Sequence, residues 1–520
     1  MVKDNLFVLI KSLSKSEKRQ FKLYIGRLGA NENAKFINLF GVLEKMDRYD
    51  EDQILQKKIV TKQQLSNLKA HLYKQILTSL RTNPVHKGIR LQLREQLDFA
   101  TILYNKGLYT QSLKLLERAK SLALRYDEKL IAYEIVELEK VIESQYITRS
   151  LSNRTQQLVS NADELHQQNQ VASQLSNLSL QLYEKLIKTG YTKNDEEYRR
   201  VTEFFYKNLP AMQFEELGFR EQLWYFKAHV WYSFLTQDFL SSYKYATKWV
   251  ELFHKNPDMI AVHPVFYLKG NNYLMESLTL LKHPGRFEKV LKTLEKNAAK
   301  NDFDKNINLS SLLFLYRLNN KINYLFLLGD FEKAEELIPE VLKGIDTYSN
   351  LIDPHHIMML YYKAACLYFG LMNYEKCIFF LKKIIHNRSL KMREDLLCFS
   401  RVLNLFAHYE AGFDYHIESL LRDTYKFLIK MDEMYEVQKA MIRFLRSLGD
   451  IYPHELKGAF QRLYDELQVY ENDPYERRAF LYLDILSWLE SKLQNRPVHE
   501  IIRIKAQQTI RKQRHPIENL

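Results

Sequence analysis

Between about residues 91 and 475, apolar positions recur at i, i+4 and i+7 in segments that come in pairs, and each pair is joined by a short turn carrying an aromatic residue. The sharpest instance is 357–388. Tyr361, Ala365 and Tyr368 share one helical face, Met372-Asn373-Tyr374 makes the turn, and Cys377, Leu381 and Ile384 follow at the same spacing. A small residue such as Ala365 lets paired helices approach closely, and the turn aromatic fills the wedge between them. In 96–119, Ala100, Leu103, Gly107, Tyr109, Ser112, Leu116 and Ala119 occupy the equivalent positions. In 321–342, Leu325, Gly329, Phe331, Ala334, Ile338 and Val341 do so, with Ile322 where a small residue is expected. Weaker copies turn at Phe239, Phe287 and Tyr415.

The turn aromatics Tyr109, Phe239, Phe287, Phe331, Tyr374 and Tyr415 are separated by 130, 48, 44, 43 and 41 residues. The long first gap is about three periods of roughly 44, which predicts two diverged copies, at 131–165 and 177–209, the second turning near Gly190-Tyr191. Helix breaks fall where such a repeat needs them, at Asn256-Pro257, His283-Pro284-Gly285 and Asn472-Asp473-Pro474, and Asp353-Pro354 reads as an N-cap followed by proline at the first helical position. His355 and His356 then fall in an exposed first turn. The expectation is an all-α solenoid of about nine helix pairs over 91–475.

Residues 1–90 carry a different pattern. Ser14-x-x-Glu17 is a capping box opening a helix to about Arg27, with Phe21, Tyr24, Ile25 and Leu28 as its stripe. Further helices are predicted at 34–46, 51–58 and 61–81, the last with Leu65, Leu68, Leu72, Ile76, Leu77 and Leu80 on one side. The short helix feeding a long basic one is compatible with a helix-turn-helix unit, with Lys57, Lys58, Lys62, Lys69 and Lys74 as nucleic-acid contacts. A polar cap on the solenoid is the favoured reading, since terminal repeats need a polar outer surface and the turn at Val60-Thr61 lacks the glycine of a helix-turn-helix.

The paired helices resemble the tetratricopeptide repeat, in its order of bulky, small and aromatic residues, turn aromatic, small residue and two apolar ones. The period is about ten residues longer than that motif's 34, so each helix is expected to gain roughly one turn; other α-solenoids also repeat at about 40–47. The turn aromatic favours the tetratricopeptide-like reading. The resemblance implies a right-handed solenoid whose first helices line a concave groove for a protein or peptide partner. Carried over by position, the groove residues are Arg94, Thr101, Tyr104 and Asn105; Tyr316, Asn319, Asn323 and Phe326; and Met359, Tyr362, Cys366 and Phe369. Asparagines at i, i+4, as in Asn319 and Asn323, suit an extended peptide backbone. The segments 13–19 (Leu-Ser-Lys-Ser-Glu-Lys-Arg) and 408–412 (His-Tyr-Glu-Ala-Gly) also resemble a family of bacterial proteins, a likeness that brings no activity with it.

Composition supports helices. Only 15 glycines and 11 prolines in 520 residues leave few breakers, while 46% hydrophobic residues can supply a large core. Cys366, Cys377 and Cys398 lie in apolar helical pattern with no paired spacing, so reduced core thiols are expected rather than disulfides or metal ligands. The first segment has about five consecutive apolar residues, short of the roughly 7–15 of a secretory signal, and no run reaches the ~18 of a membrane span, so a cytoplasmic protein without a membrane partner is expected.

The net charge of +13 is uneven. Residues 1–90 hold 18 basic and 8 acidic side chains, and 491–520 hold 7 and 2. Basic ends around a nearly neutral middle suggest an acidic partner there, either nucleic acid or an acidic protein surface. The tail from Arg496, with Arg503, Lys505, Arg511, Lys512 and Arg514, loses its periodicity after Ile504 and reads as a frayed or disordered segment.

The catalytic inventory is empty. No GxxxxGK[ST], GxGxxG or GxSxG occurs. His499-Glu500-Ile501-Ile502-Arg503 places arginine where a zinc protease motif needs its second histidine, and the adjacent carboxylates Glu215-Glu216 and Glu335-Glu336 diverge around their helices. The domain reading is a basic N-terminal bundle (1–90), a solenoid (91–475) and a C-terminal helix with a basic tail (476–520). The expected function is a non-enzymatic interaction scaffold without cofactor or metal; the alternative is a nucleic-acid-associated regulator acting through the basic bundle.

Overall fold

A computed structural model describes residues 4–27, 35–83, 88–145, 153–387, 394–412, 417–431, 436–447, 452, 454–476, 480 and 484–514. Among these residues the regular structure is helical, without a strand. The chain divides into two compact units, Met1–Leu165 and His166–Leu520. Tyr415 and Leu28, two residues used in the sequence pattern, lie outside the described residues.

The first unit opens with α1 (Asn5–Ser12), α2 (Lys15–Arg27), α3 (Lys35–Lys45), α4 (Glu51–Gln56) and α5 (Lys62–Thr82). The capping box forms as expected. The Ser14 N–H donates to Glu17 Oε2 at 2.6 Å, and the Glu17 N–H donates to Ser14 Oγ at 3.2 Å. Helix α1 was not anticipated. Asp4 caps it by accepting from the Phe7 N–H at 2.9 Å, and Leu6 and Ile10 bury their side chains with Phe21, Phe40 and Leu72. The unit continues with α6 (Ile89–Asn105), α7 (Tyr109–Arg125), α8 (Lys129–Gln145) and the start of α9 (Arg154–Thr189). Glu139 is 1% exposed and is held by Lys120 at 2.6 Å and Arg154 at 3.3 Å.

The second unit adds α10 (Asp195–Asn208), α11 (Phe219–Leu235), α12 (Phe239–Lys255), α13 (Asp258–Val262), α14 (Pro264–Leu280), α15 (Pro284–Lys300), α16 (Ile307–Leu328), α17 (Phe331–Glu336), α18 (Ile338–Tyr348), α19 (Pro354–Gly370), α20 (Tyr374–Ile385), α21 (Glu394–Glu410), α22 (Ile417–Met431), α23 (Glu436–Ser447), α24 (Leu456–Gln468), α25 (Ile485–Gln494) and α26 (Val498–Arg514). Most helices pack on the next helix or the next but one in sequence, and α26 packs on α16 as well as on α25.

Three details depart from the expected repeat. The copies anticipated at 131–165 and 177–209 share one uninterrupted helix, the 36-residue α9, although the turn after it does fall at Gly190. The second helix after Phe331 is split into α17 and α18, because Pro339 cannot donate to the helical ladder and seats in the first turn of a new helix. The basic tail is helical through Arg514 rather than frayed, since α26 has something to pack on.

The hairpin turns share one mechanism. A single residue in the left-handed region ends the first helix at Gly107, Gln237, Lys282, Gly329 and Met372. In each, its N–H bonds the carbonyl three residues back and the next N–H bonds the carbonyl five back, as in Met372 to Phe369 and Asn373 to Tyr368. These paired bonds satisfy carbonyls that a helix end leaves open. An L side chain in this conformation costs about 1–2 kcal/mol, which glycine avoids. Lys282 and Met372 are exposed, at φ +52° and +59°. Met372→Gly should therefore raise stability by about 0.5–1 kcal/mol, after allowing for the greater freedom of glycine in the unfolded chain. Chemical denaturation of the variant checks this, and unchanged or lower stability would contradict it. Gln237 is excluded, because its side-chain amide donates to the Thr192 carbonyl at 3.3 Å.

Helix α26 lies across two of these turns. A Cβ on Gly329 would fall 2.5 Å from the Arg503 backbone, so only glycine permits this approach. Arg503 donates to the Gly329 carbonyl at 3.2 Å and pairs with Glu332 at 2.7 Å, while His499 Nδ1 lies 3.2 Å from the Gly370 carbonyl. The near-miss protease motif is thus a clasp in which His499 and Arg503 both reach Glu332.

Candidate binding cleft

In the second unit, the first helices of four successive hairpins, α11, α14, α16 and α19, present one face to a common space. Counted back from the left-handed turn residue, positions thirteen, ten, six and three give Trp224, Lys227, Trp231 and Phe234 on α11; Lys269, Asn272, Glu276 and Thr279 on α14; Tyr316, Asn319, Asn323 and Phe326 on α16; and Met359, Tyr362, Cys366 and Phe369 on α19. All sixteen line one of two adjoining cavities. The helical period brings these offsets to one face.

The larger cavity, about 530 Å³, lies between that face and the Ser176–Ile187 stretch of α9. The smaller, about 360 Å³, is bounded by Phe326, Tyr362, Cys366 and Phe369 and by Val498 and Ile502 of α26. Tyr191, Glu276, Asn323, Met359 and Lys363 line both.

The larger cavity is aromatic and cationic. Tyr183, Trp224, Trp231, Phe234, Tyr273 and Tyr316 line it together with Lys227, Lys269 and Lys363. Tyr183 and Tyr273 pack on Trp231 with ring centroids 4.9 and 5.0 Å away. The ammonium of Lys227 sits 4.3 Å from the Trp224 ring centroid and 5.6 Å from that of Phe266, a cation–π arrangement. Burial and the neighbouring Lys269 cation lower its pKa to about 8, and burial lowers that of Lys269 as well. Among the described residues, neither lysine has a carboxylate within 4 Å. Lys363 is anchored differently, donating to the Asn319 carboxamide oxygen at 2.6 Å and to that of Asn323 at 2.5 Å. Burial lowers its pKa too, against the opposing pull of Glu276. The Trp231 indole N–H and the Ser179 hydroxyl, both on residues of the lining, have no hydrogen-bond partner among the described residues.

The sequence-derived positions divide cleanly. Tyr316, Asn319, Asn323 and Phe326 and Met359, Tyr362, Cys366 and Phe369 converge on the two cavities, though Tyr362 and Phe369 are 3% and 1% exposed and serve the core as well. Arg94, Thr101, Tyr104 and Asn105 belong to α6 in the other unit, where Arg94, Thr101 and Asn105 are exposed and the Tyr104 hydroxyl donates to Gln145 at 2.8 Å. Of the basic-bundle residues, Lys57, Lys58, Lys62 and Lys74 are exposed. Lys69 is not a free surface cation, since it pairs with Asp4 and donates to the Tyr49 hydroxyl at 2.9 Å, tying α5 to the start of α1. Burial alone would lower its pKa, but these two partners outweigh burial and raise it. His355 and His356 are half-buried in the lining of the larger cavity rather than exposed.

The α11 positions follow from Phe239, which opens α12 two residues after Gln237, just as Tyr374 follows Met372, while the α14 positions are hidden for a specific reason. Counting from Phe287 puts the register three residues off, because this aromatic lies one turn inside α15 while Pro284 takes the first helical position. The signal that finds them is the helix stop at Lys282-His283-Pro284.

The thiols of Cys366 and Cys377 are pushed up by burial, Cys366 to about 12, which leaves them poor nucleophiles. Among the described residues, no cluster of three metal-ligating side chains occurs and no helix is long and apolar enough to cross a membrane. No protein-family model, no curated protein and no solved structure matches the chain.

Proposed function

We propose that this chain is a non-enzymatic binding scaffold, a tetratricopeptide-like right-handed α-solenoid of about nine helix pairs over residues 91–475, with a basic helical bundle before it and a C-terminal helix after it. Its job is to hold a protein or peptide partner against the first-helix face of the second unit.

The observation that carries this reading is the convergence of equivalent positions on α11, α14, α16 and α19. A repeat that needed only to pack would have no reason to leave sixteen such positions around two adjoining cavities. The lining joins aromatic anchors to a few fixed polar groups, the composition of recognition sites rather than of a plain core. Asn319 and Asn323, positioned by Lys363, offer amide donors for an extended backbone.

The test is affinity capture from cell extract with the full chain and with Asn323→Trp, which places a bulky ring where the two cavities meet. Proteins retained at micromolar bait by the native chain should fall at least tenfold with the variant, while helical content is unchanged. Equal retention by both, or retention by neither, would overturn the proposal.

A further inference from the structure

The larger cavity holds more positive charge than its own walls neutralise. Lys227, Lys269 and Lys363 line it, against the single carboxylate of Glu276. An isolated ammonium is costly to hold out of water, and two of them near each other repel. Lys363 has its compensation in Asn319 and Asn323. Lys227 has only ring faces, and Lys269 has neither an ion pair nor a hydrogen bond among the described residues. The rings of Tyr183, Trp224, Trp231, Tyr273 and Tyr316 give the lining flat apolar faces. The volume, about 530 Å³, falls in the range of small-molecule sites, roughly 300–1,000 Å³, and the space is walled on the far side by α9.

From these observations we infer that the cavity between α9 and helices α11, α14, α16 and α19 is a binding site for a small organic anion that carries a planar ring, the anionic group lying between Lys227 and Lys269 and the ring against Trp224 and Trp231. The ligand supplies the counter-charge that the fold withholds. Its ring offers the flat apolar face that aromatic walls prefer, at centroid separations of about 4.5–7 Å. This goes beyond the scaffold reading, because a free small molecule would occupy the cleft in addition to, or in competition with, a partner chain.

The full-length protein can be titrated with 8-anilinonaphthalene-1-sulfonate, a planar sulfonate, following tryptophan quenching and energy transfer to the dye. The neutral N-phenyl-1-naphthylamine serves as the uncharged comparison. The sulfonate should bind at one saturable site in the micromolar range. Lys227→Met combined with Lys269→Met should weaken the sulfonate at least tenfold and change the neutral dye less than twofold. Since burial and Lys269 lower the Lys227 pKa to about 8, raising the pH from 7 to 9.5 should weaken sulfonate binding to the native protein, and should weaken it less in the double variant, where Lys363, also lowered to about 8, and the Glu276 carboxylate are the charged groups that remain in the lining. The pH arm needs no substitution, so it decides the matter even if the double variant fails to fold. Sulfonate affinity that is indifferent both to pH and to the two lysines, or a neutral dye that binds as tightly as the sulfonate, would overturn the site. Absence of saturable sulfonate binding by the native protein, with retention of a captured protein partner, would overturn this site alone and leave the scaffold reading standing.

Discussion

Glu410→Ala should lower the stability of the second unit by about 3–4 kcal/mol. The carboxylate ends α21 and is 7% exposed at its side chain. It accepts from the indole N–H of Trp488 at 2.8 Å, pairs with Lys492 and receives the Tyr374 hydroxyl at 3.4 Å. One side chain therefore gathers α20, α21 and α25. Truncation leaves an indole donor inside a residue that is 1% exposed, and a half-buried ammonium without its counter-ion. Each is a desolvated group stripped of its partner, worth about 1–3 kcal/mol or more. Glu410→Gln, which retains an acceptor for Trp488 but loses the charge, should fall between the two. Urea unfolding followed by circular dichroism and by tryptophan fluorescence, whose four reporters all lie in the second unit, is the measurement; a loss below about 1 kcal/mol for the alanine variant would show that the cluster contributes little.

Glu139→Ala should have an effect of similar or greater size in the first unit, about 3–5 kcal/mol. The carboxylate is 1% exposed and bridges Lys120 on α7 and Arg154 at the start of α9, both of which are mostly covered. Removing the acid leaves two cations facing each other with no acid between them. Replacing the whole triad by Leu, Met and Met should recover much of the loss, because the cost lies in stranded charge more than in missing attraction. The two carboxylates sit in different compact units and share no partner, so their losses should add in the double variant to within about 0.5 kcal/mol. If Glu139→Ala and Glu410→Ala depress one and the same early transition by equal amounts, local loss of these clusters is not the cause.

The hairpins were readable because their determinants are local. Apolar residues at i, i+4 and i+7, a turn residue able to adopt positive φ, and an aromatic beyond it all lie within one short window, and the α19–α20 pair follows that reading almost residue for residue. The cavity-lining face of α16 and α19 is legible for the same reason, as offsets from a turn. What local pattern could not supply was register where the marker itself moves, as at Phe287, or continuity where no breaker marks a join, as in α9. Leu158, Ala162 and Leu165 near its start join the core of α6 to α8, Leu178, Leu182 and Leu186 near its end join that of α10 and α11, and its own sequence contains no glycine or proline to say where one copy ends. The polar partners were hidden for a further reason. Glu410 pairs with residues 78 and 82 positions away, and a lone glutamate at a helix end looks in sequence like ordinary solvated surface. Lys227 and Lys269 were hidden in the same way, since a lysine reads as exposed until the opposite wall of the cavity is known.

Helix α26 also bears on the order of synthesis. Arg503 meets a turn made 174 residues earlier, and His499 reaches back 129. While the chain emerges from the ribosome at about 5–20 residues per second, the hairpins from α16 to α20 can form from local contacts well before α26 exists. For that interval, on the order of ten seconds, Gly329 lies uncovered and the smaller cavity lacks the wall formed by Val498 and Ile502. The cleft is thus finished by the helix that emerges after everything it closes upon, and a chain cut short of Val498 would present its apolar lining to solvent as a sticky surface.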